Sequence, residues 1–122
     1  MLLKIQKYLY DIRTSIDSID EYLGEQRKFD IYLKNKQLRR SVERELEIIG
    51  EAVGNILKLA ADFPIHNARK IVSLRNMVAH AYDSVDNATI WGIVINHLPK
   101  LRDDVVNLLI DDQFFDETNA LS

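Results

Sequence analysis

Cysteine is absent from this chain of 122 residues. That removes disulfides, thiolate metal sites and a cysteine nucleophile together. Only 3 histidines occur, and none is spaced to share a helical ligand face, so a metal site built wholly from protein is not expected. Glycine (4) and proline (2) are too scarce to punctuate a many-stranded β domain, which favours helices. No stretch approaches ~18 uninterrupted apolar residues. Met1 to Lys7 carries charge at every turn, so neither a signal peptide nor a membrane span is expected there. A soluble, cytoplasmic chain is the expectation. What is present is ordinary globular material, 47% apolar and 29% charged. The length suits one core of roughly 100–150 residues.

The net charge of −3 conceals an asymmetry. Residues 26–44 hold Arg27, Lys28, Lys34, Lys36, Arg39, Arg40 and Arg44 against Asp30 and Glu43, a local +5. Asp103, Asp104, Asp111, Asp112, Asp116 and Glu117 form the acidic counterpart near the other end. Such a basic segment steers phosphate or an acidic partner locally, or serves as a solvated face.

Apolar periodicity predicts four long helices. Leu2, Ile5, Leu9, Ile12, Ile16, Ile19 and Leu23 form one continuous stripe, closed by Gly24 where a helix C-terminal glycine belongs. Phe29 to Leu33 reads as a short helical turn. The second long helix runs from about Asn35 to Ala61, striped by Leu38, Val42, Leu46, Ile49, Val53, Ile56 and Ala60, and Phe63-Pro64 ends it. The third spans about Asn67 to Tyr82 on Ile71, Leu74, Val78 and Ala81. Asp86 is the expected N-cap of a fourth helix over about residues 87–110, which Pro99 should bend. Short connections between amphipathic helices predict an all-α, antiparallel bundle of four to five helices over residues 1–112. Residues 113–122 read as an acidic C-terminal tail, with Phe114 and Phe115 available for docking.

The third helix concentrates chemistry. At about 100° per residue, His80 and Asn76 share the face opposite its apolar stripe, while Arg75 and Tyr82 lie together on a flank. An imidazole suits proton transfer near neutral pH. A guanidinium suits planar contact with phosphate oxygens. Spacing alone supports no more than a helical bundle with one polar cluster. On that basis His80 reads more readily as a surface or cap residue than as a catalyst, Arg75 also as an ion-pair partner, and Tyr82 as a half-buried aromatic.

The run Arg75-Asn76-Met77-Val78-Ala79-His80-Ala81-Tyr82 resembles the R-x4-H-x-Y signature of the HepT-like branch of the HEPN superfamily. Ile49-Gly50-Glu51-Ala52, Val85-Asp86, Trp91 and Leu98-Pro99 extend the resemblance from about Ile48 to Leu101. The polar approach into the third helix, Ile65-His66-Asn67-Ala68, departs from it and bears on the rim of a cleft. The resemblance implies a HEPN-like homodimer and a metal-independent endoribonuclease toxin without a cofactor, with the R-x4-H of both copies in one composite site. It further implies a type VII toxin-antitoxin pair, in which a cognate MntA-like nucleotidyltransferase neutralises the toxin by adenylylating Tyr82.

In that setting His80 would move the protons of the cleavage, Arg75 would stabilise transition-state charge, and Asn76 would support either the imidazole or a phosphate oxygen. RNA and the antitoxin are the expected partners; a membrane is not. A second reading is a non-catalytic helical module that docks on a partner nucleotidyltransferase and presents substrate to it. Glu43, Glu47 and Glu51 read as a solvated stripe, since no Glu-x-x-His accompanies them, although Glu51 could reach the third helix. His66 and His97 receive no role, and Trp91 with Ile90 and Val94 reads as packing or dimer contact.

Overall fold

The structure is a computed structural model and describes residues 2–73 and 86–109. Helix α1 (Leu2–Leu23) buries Ile5, Leu9, Ile12, Ile16, Ile19 and Leu23, the stripe read from the sequence. Gly24 ends it at φ +60, and its N–H donates to Asp20 O at 2.9 Å. That left-handed position costs glycine nothing and would strain a residue with a Cβ. Helix α2 (Phe29–Lys34) is the expected short turn. Helix α3 (Lys36–Leu59) starts at Asn35, whose side chain accepts from Leu38 N–H at 3.0 Å.

Helix α3 is the centre of the molecule. Val42, Leu46, Ile49, Val53 and Ile56 are buried in the common core with the α1 stripe. The Tyr22 hydroxyl donates to Glu45 at 2.8 Å, which places the end of α1 beside the first half of α3. After α3 the chain turns through Ile65 and Ala68, both buried, into the helical segment α4, described over residues 68–73.

Helices α5 (Asn87–Asn96) and α6 (Leu98–Leu108) replace the expected single, bent fourth helix. The break falls on His97, which ends α5 by donating its N–H to Ile93 O at 2.9 Å and opens α6 by accepting from Leu101 N–H at 3.0 Å. Pro99 therefore sits in the first turn of a new helix, where its missing N–H would have had no intrahelical partner. Helix α6 runs antiparallel to α1: Gln6 Nε2 donates to Leu108 O at 3.1 Å, and Arg102 bonds Asp17 at 2.9 Å at the other end.

Among the described residues no strand occurs, so the all-α bundle stands as expected. No described helix is long and apolar enough to cross a membrane. The acidic tail, residues 113–122, lies outside the described residues.

Tyr32 closes the end of the core. It is fully buried, its ring packs 5.2 Å from Trp91, and its hydroxyl has no hydrogen-bond partner among the described residues. Burial, aided by the Glu43 carboxylate and opposed by Arg39, pushes its pKa up to about 12. The neutral phenol is thus favoured by folding. Stability from this source is complete below pH 10, the ordinary value, and erodes as pH climbs toward 12. A buried hydroxyl without a partner costs about 1 kcal/mol or more. Tyr32→Phe is therefore expected to hold or raise stability by about 1 kcal/mol and to flatten the alkaline loss between those pH values. Thermal melts of both proteins across that range check it; a marked drop in melting temperature at neutral pH would show that the hydroxyl is bonded.

Candidate functional site

Arg75, Asn76, His80 and Tyr82 lie outside the described residues, within 74–85. The structure does describe the two ends from which that segment hangs. On the upstream side, α4 runs against α3 at Gly54: a Cβ built there would rest 3.8 Å from Val72 Cγ2. Gly50, one turn earlier, is buried on the same helix. Between α3 and α4 the chain passes through Asn67 at φ 58, a left-handed position that Asn tolerates better than most residues. His66 N–H donates to Asp104 Oδ2 on α6 at 3.2 Å, and Ser73 Oγ donates to Arg69 O at 3.0 Å. The approach that looked merely polar is held at its two ends, with Ile65 and Ala68 buried and His66 and Asn67 between them exposed.

On the downstream side, Asp86 caps α5 as expected. Its carboxylate accepts from Ala88 N–H at 3.0 Å and from Thr89 Oγ1 at 3.1 Å. Trp91, five residues on, packs against Tyr32 and also Phe29, the latter with ring centroids 6.2 Å apart. Ile90 and Val94 are buried in the core. Trp91 is therefore packing that ties α5 to α2.

The basic segment occupies α2 and the first half of α3. Arg27 pairs with Asp20 at 2.7 Å, and Arg44 with Glu47 at 3.4 Å. Arg39 bonds the Leu33 carbonyl. Lys28, Lys34, Lys36 and Arg40 are exposed. Burial pushes the Glu43 carboxyl above its ordinary value, with Arg40 and Arg39 opposing the shift. Glu51 is exposed on α3, and its proposed partners Arg75 and Asn76 fall outside the described residues. Among the described residues no three His, Asp or Glu side chains gather as a metal site would require.

Sequence spacing missed one association. His66 and His97 are 31 residues apart, yet both line a single groove of about 250 Å³ between α3, the start of α4 and the α5–α6 junction. No linear pattern joins residues from two different helix junctions, so nothing in the sequence pointed to it.

The sequence model described as ribonuclease HepT-like matches residues 12–108, which run from the middle of α1 to the end of α6 and include the signature run. The chain belongs to the HepT-like ribonuclease family of the HEPN superfamily. A Methanocaldococcus jannaschii protein whose name reads "putative RNase" is 30% identical over 116 residues, covering 94% of this HepT-like chain and 95% of its own. Another "putative RNase" of that organism is 33% identical over 102 residues, covering 83% and 93%. A Thermococcus cleftensis protein named "probable ribonuclease HepT" is 35% identical over 99 residues, covering 78% and 86%. No solved structure matches the HepT-like chain.

The α3–α4 approach can be tested at its narrowest described point. Gly54→Ala adds a methyl at ordinary contact distance from Val72 and removes a helix-interior glycine. It should stabilise the protein by about 0.5–1 kcal/mol, whereas Gly54→Leu should destabilise it by roughly 1–3 kcal/mol through overpacking. Chemical denaturation of the two variants distinguishes a close helix contact from open space, since open space would accept both.

Proposed function

We propose that this HepT-like chain is an endoribonuclease toxin acting as a homodimer, with Arg75 and His80 of both copies in one composite cleft. The observation that carries the reading is that the family match runs through residues 75–82, so the R-x4-H-x-Y run stands inside the matched stretch. The packing of Ile71 and Val72 before the run, and of Ile90 and Trp91 after it, against the core supports it, because catalysis needs reacting groups held in place.

The chemistry then follows from residue types. The ribose 2′-oxygen attacks phosphorus while one His80 takes the 2′-OH proton. The bond from phosphorus to the 5′-oxygen breaks as the second His80 gives that oxygen a proton. Protons and atoms balance, the products are a 2′,3′-cyclic phosphate and a 5′-hydroxyl, and no metal ion enters the scheme. Arg75 stabilises the extra negative charge on the phosphorane-like transition state, and Asn76 orients the imidazole or a phosphate oxygen.

Tyr82 is the site of control. A cognate MntA-like nucleotidyltransferase transfers AMP from ATP: the phenol oxygen attacks the α-phosphorus and pyrophosphate leaves. The attached phosphate brings negative charge to the flank that Tyr82 shares with Arg75, so it both obstructs RNA and engages the cation that RNA needs.

His80→Ala should lower RNA cleavage by at least about 100-fold and abolish growth arrest on expression, with the dimer intact by sedimentation. Cleavage by the unaltered protein should persist in excess EDTA. Full activity of the variant removes His80 from the mechanism, and a strict Mg²⁺ demand removes the metal-free scheme. Co-expression with a cognate MntA-like nucleotidyltransferase should place AMP on the Tyr82 peptide by mass spectrometry. Modification confined to Tyr8, Tyr10, Tyr22 or Tyr32 would defeat that assignment.

A further inference from the structure

We infer that the groove between α3, the start of α4 and the α5–α6 junction binds one nucleotide of the RNA substrate, outside the two nucleotides that flank the bond that is cut. The inference rests on the ribonuclease reading above and adds a binding site to it. The groove encloses about 250 Å³, near the lower end of the ~300 Å³ typical of small-molecule sites. Its floor is aliphatic, formed by Leu46, Ile49, Leu98 and Leu101 with Ile71 and Ile93 at the sides. The rim carries Lys70, Lys100, His66 and His97, all exposed, and Asp104.

That combination fits a nucleotide better than a simple anion or an acidic peptide. The two ammonium groups supply phosphate contacts, which position a nucleic acid strand. The apolar floor receives the face of a base, and the imidazoles offer planar edges to it. Asp104 opposes a purely anionic ligand but accepts hydrogen bonds from a base amino group. One of its oxygens is held by His66 N–H at 3.2 Å, so the carboxylate is already oriented. Lys70 precedes Arg75 by only five residues in the chain, which links the groove to the signature. Single-stranded RNA presents phosphate and an unstacked base together, as this rim and floor require.

The test uses the full chain and a short RNA methylated at every 2′-oxygen, which binds but cannot be cut. Lys70→Glu with Lys100→Glu should weaken its binding at least tenfold. The slope of log affinity against log salt should flatten by about 1.4, or ~0.7 for each phosphate that a lysine no longer neutralises. On a cleavable oligomer the same pair should raise KM about tenfold and leave kcat within twofold, whereas cleavage of a dinucleotide should be unchanged. Both lysines are on the surface, and an unaltered melting temperature confirms folding; the milder Lys70→Gln, Lys100→Gln pair should give the same effects at smaller size.

Unchanged affinity and KM for the oligomer would overturn the proposal. So would unchanged affinity with an altered sedimentation coefficient, which would make the groove a contact between protein copies. Loss of kcat on the dinucleotide would also overturn it, by showing that the lysines act on the chemistry itself. Failure of the ribonuclease reading is separate: it would appear as no cleavage by the unaltered protein, while the methylated RNA still reports on the groove.

Discussion

Burial of the α3 stripe is the constraint on which the rest depends. Val42, Leu46, Ile49, Val53 and Ile56 are nearly inaccessible to water, and α1 meets them with Ile5, Leu9, Ile12, Ile16 and Ile19. Each such side chain contributes roughly 1.5–3 kcal/mol on burial, so this seam holds a large share of the domain's apolar stabilisation. The same helix also borders the groove and the segment that leads into the signature run. Gly54 receives Val72 of α4, Leu46 and Ile49 floor the groove, and Glu43 and Arg39 sit near the buried Tyr32 phenol. A loosened α3 would disturb both anchors of the signature segment at once.

The two anchors differ in kind. Upstream, α4 is fixed by small and aliphatic contacts, and the turn that leads into it is tied to α6 by the hydrogen bond from His66 N–H to Asp104. Downstream, α5 is fixed by an N-cap carboxylate and by the Trp91–Tyr32–Phe29 aromatic cluster, which ties it to α2. The segment between them carries a cation, an imidazole, an amide and a phenol. In the proposed mechanism, packed elements on both sides of this polar run would reduce the reorganisation that proton transfer and charge stabilisation otherwise require.

Much of the fold was legible because amphipathic helices write their buried face at a period of 3.6 residues. The α1 stripe, the Gly24 stop, the Asn35 start and the Asp86 cap all follow from local chemistry. The fourth helix was misjudged for a reason equally local in cause but not in outcome. A proline can bend a helix or begin a new one, and which happens depends on whether the carbonyls before it find other partners. Here His97 serves both helices, so two shorter ones are cheaper than one strained helix.

By itself the sequence determined the all-helical class, the core stripes, the position of the caps and, through the R-x4-H-x-Y run, membership of the HepT-like family. These depend on neighbours along the chain, within one or two helical turns. Only the tertiary structure decided that Tyr32 is sealed under Trp91 and that the α3–α4 turn is tied to α6. It alone brought His66, Lys70, His97 and Lys100 around one apolar floor. Those associations join side chains tens of residues apart, and they arise from how helices cross, which a periodicity confined to each helix does not encode.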